Sequence, residues 1–315
     1  MNRKAIILGI KSYKLSNKEK KLFKKYKPWG IILFSRNIKS IDQLKKLTFE
    51  IKKTLKDKNY PILIDQEGGK VCRLNKIIDH SFFSQSYFGN LYKKNKKLFF
   101  NIYKVYIDQV CKIFRHCGIN INTVPVLDVE RKYAHKVIGT RSFSKDVNIV
   151  SKLGKHCIEL YKTNKIATVM KHIPGHGKSN FDSHKRTPTI KAKKDELFKK
   201  DFKPFKSCNS LFAMTAHAIF PIFDKENTAT HSNIIIKDII RKYINFRGIL
   251  ISDDISMKSL KYTIEVNAIK SLESGCNLTL HCNGNINEMT KLLMVVPKID
   301  KFTQKKTSQF YKFLG

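Results

Sequence analysis

The segment KHIPGHGKSNFDSHKRTP, residues 171–188, carries the densest group of chemically active side chains in the sequence. Asp182 and His184 are two residues apart, a spacing that suits a carboxylate orienting an imidazole for proton transfer. His172 and His176 are four apart, as metal ligands on a helix would be, but a proline and two glycines disfavour a helix here. We therefore predict an active-site loop without a metal, with a solvated loop carrying incidental histidines as the alternative.

A second candidate group, SDDISM at 252–257, directly follows the apolar run GILI. An acidic side chain at the end of a buried strand costs desolvation free energy unless it is paired or used. Asp253 is therefore a candidate nucleophile or base, and Asp254 could cap the helix that follows. The alternative is that both residues are helix caps.

A third group, DQEGGKVCR at 65–73, combines an acidic residue, two glycines and an arginine. Asp65 follows a strand-like run, the glycines would permit close approach of a ligand to the backbone, and Arg73 offers a planar fork of donors. Arg141, in IGTRSF, offers a second fork. An ordinary surface turn is the competing interpretation of this segment.

Short apolar runs alternate with amphipathic stretches along the whole chain of 315 residues. Strand-like runs lie at 5–10, 30–34, 61–64, 121–127, 167–170, 211–216, 248–252 and 277–280. Helical periodicity separates most of them, for example at 41–56, 97–115, 146–162, 233–244 and 285–295.

This alternation predicts an α/β fold, a (β/α)8 TIM-type barrel forming a single domain over residues 1–315, with 283–315 as the last helix and a C-terminal tail. A doubly wound open sheet is the alternative, which the absence of a glycine-rich dinucleotide fingerprint and of a P-loop disfavours. The barrel requires functional residues at the carboxyl ends of its strands. The polar residues that follow successive predicted strands fit this requirement: Asp65, Asp128, Lys171, His172, His217 and Asp253.

The charge is strongly basic, with 62 Lys and Arg against 25 Asp and Glu, a formal net charge of +37. Only nine of the 62 are Arg, the better fork for phosphates and base edges, and the basic residues are dispersed along the chain. We interpret the excess as codon bias of an AT-rich genome and expect no specific nucleic-acid partner.

Apolar runs are too short for membrane spans, and seven cysteines without CxxC fit reduced thiols. We expect a cytoplasmic protein with no membrane partner.

Seven segments in order between about residues 28 and 282 resemble one enzyme family: GIILFSRN, DQEGGKVCRL, PVLDV, IGTRSF, KHIPGHG, DSHKRTP and GILISDDISM. The chain resembles the short, single-domain cytoplasmic β-N-acetylhexosaminidases of glycoside hydrolase family 3. KHIPGHG followed by DSH is the most specific piece, because this loop separates the family's N-acetylhexosaminidases from its β-glucosidases.

The resemblance implies a role for each matching residue. Asp253 would be the catalytic nucleophile, His184 the general acid and base, and Asp182 the partner that orients His184. The residues that would hold the N-acetylglucosamine are Asp65, Arg73, Arg141, Lys171 and His172. Retaining glycosidases generally use two carboxylates, so a His–Asp pair as the proton carrier departs from that rule. No cofactor is required.

For the family's cytoplasmic members the implied substrate is N-acetylglucosamine linked to anhydro-N-acetylmuramic acid, with or without its peptide, in peptidoglycan recycling. We expect a monomer. A phosphorylase is the alternative within the enzyme class, because a neutral histidine repels phosphate less than a carboxylate would. A basic polyanion-binding protein on the same fold is the alternative outside it.

Overall fold

Eight parallel strands form the centre of the molecule in the computed structural model, which describes residues 2–131, 138–177 and 187–315. They are β1 (Lys4–Gly9), β2 (Pro28–Leu33), β3 (Ile62–Ile64), β4 (Ile121–Asn122), β5 (Ala167–Ile173), β6 (Phe212–Thr215), β9 (Ile249–Asp254) and β10 (Leu278–His281). Two further strands, β7 (Ile219–Phe220) and β8 (Asp224–Thr228), pair with each other in antiparallel fashion outside the barrel. The barrel closes in the order β1–β10–β9–β6–β5–β4–β3–β2, so the predicted (β/α)8 fold is confirmed.

Helices surround the strands. They are α1 (Asn17–Tyr26), α2 (Ile41–Leu55), α3 (Gln85–Lys94), α4 (Lys96–His116), α5 (Val147–Thr163), α6 (Lys194–Glu196), α7 (Lys203–Ser207), α8 (Ile264–Glu273), α9 (Ile286–Val295) and α10 (Lys301–Leu314). Wider π-helical turns cover Leu197–Asp201 and Ile235–Tyr243, and short 3₁₀ turns cover Ser35–Asn37 and Gly139–Arg141. Among the residues that the structure describes, no helix has the length and apolar character needed to span a bilayer.

Each predicted strand overlaps one barrel strand, and the differences that matter for the site are at the carboxyl ends of β4, β5 and β9. β4 is shorter than predicted, since Pro125 in the predicted run has no N–H to donate. β5 and β9 are longer, so Lys171, His172 and Asp253 lie in the last residues of strands rather than after them. The strand backbone therefore fixes these three side chains directly.

An aromatic cluster closes the amino ends of the strands. The ring centroid of Phe212, at the start of β6, lies 5.6 Å from that of Trp29 in β2 and 5.4 Å from that of Phe310 in α10. The Trp29 indole N–H donates to Thr307 Oγ1 at 2.9 Å, which satisfies the one polar atom of the cluster. The amino ends of the strands are thus packed with apolar side chains, and the polar side chains lie at the carboxyl ends.

Candidate functional site

A cavity of about 170 Å³ opens at the carboxyl ends of the strands. It is lined by every predicted site residue within the described part of the chain: Asp65, Arg73, Arg141, Lys171, His172 and Asp253. Phe34, Met214, Met257 and Leu280 add apolar surface to the same wall. Asp182 and His184 lie outside the described residues. The cavity thus combines charged groups and apolar faces, as a sugar-sized polar ligand requires.

Asp65, directly after β3, is a carboxylate held by three donors. Its Oδ1 accepts from Thr123 Oγ1 and from Lys171 Nζ, at 2.5 Å each, and its Oδ2 accepts from Arg73 at 2.7 Å. Burial alone would raise the pKa of Asp65, but the charges of Lys171 and Arg73 hold it well below its usual range. Asp65 is therefore ionised and fixed in position.

Glu67 holds a second pair of cations beside Asp65. Arg141 Nε and NH2 donate to the two Glu67 carboxylate oxygens, both at 2.7 Å, and Lys171 Nζ lies 2.6 Å from Glu67 Oε1. Burial would raise the pKa of Glu67, yet Arg141 and Lys171 together lower it. One side of the cavity is thus a network of two carboxylates and three cations: Asp65, Glu67, Arg73, Arg141 and Lys171.

Asp253 faces this network from across the barrel, because β9 is four strands from β3 in either direction. Among the described residues its carboxylate accepts one hydrogen bond, from the backbone N–H of Asp254 at 2.8 Å. Burial would raise the pKa of Asp253, but the nearby imidazoles of His217 and His172 lower it. Asp253 is thus an ionised carboxylate with oxygen lone pairs available to an electrophile in the cavity.

His217 fixes the backbone beside Asp253. Its Nε2 lies 3.0 Å from the carbonyl oxygen of Asp254, and its Nδ1 lies 2.7 Å from Thr230 Oγ1. Burial lowers the pKa of His217, so the neutral ring donates through Nε2 and accepts from the Thr230 hydroxyl. These two hydrogen bonds hold the end of β9 in position beside Asp253.

Asp128, His172 and His176 form a buried cluster at the edge of the cavity. Asp128 Oδ2 lies 2.7 Å from His172 Nδ1, and Asp128 Oδ1 accepts from the backbone N–H of His176 at 2.5 Å. One potential metal-ligand atom from each residue lies within 4.8 Å of the others. His172 and His176 come close together without a helix, because the chain turns after β5. The hydrogen bond to Asp128 orients the His172 ring and leaves its Nε2 for a ligand.

The two glycines of DQEGG have a structural role within the chain. Gly68 and Gly69 have φ of +85° and +62°, and a Cβ on Gly68 would lie 2.3 Å from the carbonyl oxygen of Phe83. Each glycine therefore permits a close approach of the chain to itself, by Phe83 at Gly68 and by Ser84 at Gly69. The turn they form fixes the backbone on either side, from Glu67 to Val71.

Residues that sequence reasoning did not place in the site supply much of its support. Glu67 and Thr123 pair with predicted site residues, and His176 lines the cavity with both ring nitrogens lacking a hydrogen-bond partner among the described residues. Burial lowers the pKa of His176 to about 4, which keeps the ring neutral. The signal that the sequence offered for Glu67 was its position two residues after Asp65.

Comparisons with known proteins agree with this geometry. The sequence matches the glycosyl hydrolase family 3 N-terminal domain over residues 2–309. A β-hexosaminidase from Neisseria gonorrhoeae is 32% identical over 290 residues, which is 89% of this chain and 78% of that protein. A β-hexosaminidase from Psychromonas ingrahamii is 29% identical over an alignment of 317 positions, which covers 97% of this chain and 88% of that protein.

The fold is also similar to that of a solved relative. The crystal structure of NagZ from Neisseria gonorrhoeae in complex with N-trifluoroacetyl-D-glucosamine is 28% identical, with a TM-score of 0.83. The similarity covers 100% of this chain and 90% of that chain. Family match, curated relatives and barrel geometry agree over nearly the full length, and the chain therefore belongs to glycoside hydrolase family 3, among its β-N-acetylhexosaminidases.

Proposed function

We propose that this protein hydrolyses terminal β-linked N-acetylglucosamine with retention of configuration, through a covalent glycosyl-enzyme on Asp253. The observation that supports this most is the state of Asp253. It is an ionised carboxylate at the cavity that accepts, among the described residues, only the N–H of Asp254. A nucleophile needs such a lone pair, whereas the carboxylates of Asp65 and Glu67, across the barrel, are occupied by cations.

In the first step, an Asp253 carboxylate oxygen attacks the anomeric carbon while the bond from that carbon to the aglycone oxygen breaks. The departing oxygen takes a proton, which the family resemblance assigns to His184 with Asp182 as its orienting partner. In the second step the same imidazole accepts a proton from water as the water oxygen displaces Asp253. The sugar is released and both groups return to their starting states.

The charged network supplies the glycone site in this proposal. Carboxylates accept hydrogen bonds from sugar hydroxyls, and cations donate to hydroxyl and amide oxygens. Asp65 and Arg141 point different types of hydrogen-bonding groups at one cavity, and His172 adds its Nε2. Holding these groups in place before the sugar arrives lowers the entropic cost of orienting it.

The substrate that we propose is N-acetylglucosamine attached to anhydro-N-acetylmuramic acid, with or without its peptide. The support for the glycone is the relative solved with an N-acylated glucosamine. The support for the aglycone is the resemblance to short cytoplasmic family members. The cytoplasmic location and the monomeric state remain predictions.

A direct test measures release of nitrophenol from p-nitrophenyl N-acetyl-β-D-glucosaminide, with and without inorganic phosphate. We expect turnover that phosphate does not accelerate and N-acetylglucosamine as the product. The matched control is the β-glucoside, which should be a poor substrate because it lacks the acetamido group. Turnover that requires phosphate, with a sugar 1-phosphate as product, would instead identify a phosphorylase.

A further inference from the structure

We infer that Glu67 is a positioning residue of the glycone site, one that holds Arg141 and Lys171 in their working geometry without contacting the sugar itself. The inference rests on the proposed function, since it assigns those two cations to the glycone. Glu67 is not among the described residues that line the cavity, whereas Arg141 and Lys171 both are. Its side chain is 1% exposed, so its carboxylate is committed to the two cations.

The contact between Glu67 and Arg141 is the bidentate arrangement that fixes a guanidinium plane. Both donor–acceptor distances are 2.7 Å, from Nε to Oε2 and from NH2 to Oε1. Two parallel charge-assisted hydrogen bonds restrain both the position and the orientation of the guanidinium. A carboxylate used in this way is a scaffold for the arginine.

Arg141 depends on such a scaffold because no barrel strand carries it. It ends the short 3₁₀ turn Gly139–Arg141, in the connection between β4 and α5. Gln85 holds the backbone of this turn, donating from Nε2 to the carbonyl oxygen of Arg141 at 2.6 Å. Gln85 thus anchors the main chain of Arg141, and Glu67 anchors its side chain.

Glu67 is itself held before any ligand binds. Its backbone N–H and that of Gly68 both donate to the carbonyl oxygen of Val71, at 2.9 and 3.2 Å. Gly68 and Gly69, both with positive φ, complete this turn and so fix the backbone from which the Glu67 side chain extends. The DQEGG segment therefore places two carboxylates with different tasks: Asp65 at the cavity wall and Glu67 behind it.

Charge balance gives Glu67 a second task. Burial and the charge of Arg141 each lower the pKa of Lys171, but the charges of Asp65 and Glu67 outweigh them and raise it above its ordinary value. Without Glu67, the one remaining carboxylate of the network, Asp65, would face three cations. The cations would then separate or move toward Asp65, away from the positions in which they can bind a sugar.

The test compares Glu67→Gln and Glu67→Asp with the wild-type protein. Glu67→Gln removes the charge and one acceptor, and Glu67→Asp keeps the charge while shortening the reach. We expect Glu67→Gln to lower kcat/KM by about tenfold or more, mostly through KM, with a similar rise in the Kd of N-acetyl-D-glucosamine measured by calorimetry. Glu67→Asp should recover part of the loss. Glu50→Gln is the matched control, since Glu50 pairs with Lys20 on the outer helices and should leave both constants unchanged.

A double-mutant cycle separates positioning from a general effect on folding. If Glu67 acts through Arg141, the loss in Glu67→Gln/Arg141→Ala will be clearly smaller than the product of the two single losses. Multiplicative losses, or unchanged kcat/KM and Kd in both folded Glu67 variants, would overturn the inference. If Glu67→Gln fails to fold, Glu67→Asp carries the same cycle.

Sugar binding distinguishes failure of this inference from failure of the proposed function. A wild-type protein that binds N-acetyl-D-glucosamine but does not hydrolyse its glycosides would contradict the proposed function, and the Kd comparison would still test Glu67. A wild-type protein that does neither would overturn both.

Discussion

Asp65 and Asp253 are two ionised carboxylates that face each other across the same barrel, yet their surroundings are opposite. Asp65 accepts from Thr123, Lys171 and Arg73 at 2.5 to 2.7 Å. Asp253, among the described residues, accepts only the N–H of its neighbour Asp254. Both have a pKa below the usual range although burial alone would raise it, because cations lie in contact with Asp65 and imidazoles lie near Asp253.

The difference supports our proposal that one cavity gives two roles to the same functional group. Lys171 and Arg73 donate hydrogen bonds to the oxygen atoms of Asp65 and restrain its side chain. This arrangement suits a sugar-binding residue, but it makes attack by Asp65 on an electrophile unfavourable. At Asp253 the charge is stabilised from a greater distance, so the oxygens stay available. Residue type alone does not separate these proposed roles, whereas the number of donors in contact with each carboxylate does.

The largest expected effect is at Asp253. Asp253→Asn should lower kcat/KM for an aryl N-acetyl-β-glucosaminide by about 10⁴-fold or more, because the amide cannot form the covalent intermediate. Its Tm should be unchanged or higher, since no described cation loses a contacting partner. Steady-state kinetics and thermal melting check both parts. Asp254→Asn is the matched control and should cost far less, and equal losses at the two positions would contradict the assignment of the nucleophile.

The next effect concerns His184, whose role comes from the family resemblance. His184→Ala should lose about 10² to 10⁴-fold on the natural disaccharide, whose alkoxide leaving group needs protonation. It should still react with a dinitrophenyl glycoside and show a burst of phenolate, because hydrolysis of the Asp253 adduct becomes limiting. Asp182→Ala should behave similarly but more mildly. Equal impairment on both substrates without a burst would mean that His184 only positions the substrate.

Removing a carboxylate or cation of the paired network should have a smaller effect on catalysis and a larger one on stability. We expect Asp65→Ala and Arg141→Ala each to lower kcat/KM by at least about tenfold through lost charged hydrogen bonds. Asp65→Ala should also reduce the free energy of unfolding by about 2 kcal/mol or more, because it leaves buried Lys171 without one of its carboxylates. Chemical denaturation measures this. An unchanged free energy of unfolding in Asp65→Ala would contradict the proposed difference between Asp65 and Asp253.

The smallest expected effect is the pH dependence of that stability. The folded pKa of Asp65 lies below the unfolded value of about 3.9, so its stabilisation is fully present above that pH and disappears as the pH falls toward the folded pKa. The stability difference between wild type and Asp65→Asn should therefore be constant near neutrality and shrink below about pH 4. A difference that grows on acidification would reverse the sign and contradict the pairing.

The barrel and four of the cavity residues, Asp65, Lys171, His172 and Asp253, were predictable from the sequence, because short apolar runs alternate with helical stretches and barrel chemistry lies at strand carboxyl ends. The contact of Glu67 with Arg141 was not predictable in this way. Glu67 meets Arg141, 74 residues further on, only after the barrel closes, and nothing local in the sequence marks that contact. The glycines beside Glu67 indicated close approach correctly, but the fold decided that the neighbour is Phe83.

The most direct test of the account identifies the residue that carries the sugar. The His184→Ala protein is incubated with 2,4-dinitrophenyl N-acetyl-β-D-glucosaminide, quenched in acid during the burst, digested and examined by mass spectrometry. We predict one N-acetylglucosaminyl adduct, on Asp253, and none when Asp253→Asn is added. An adduct on Asp65 would contradict the central claim. A phenolate burst with no protein adduct would also contradict it, because an intermediate formed by the substrate's own acetamido group would give that result.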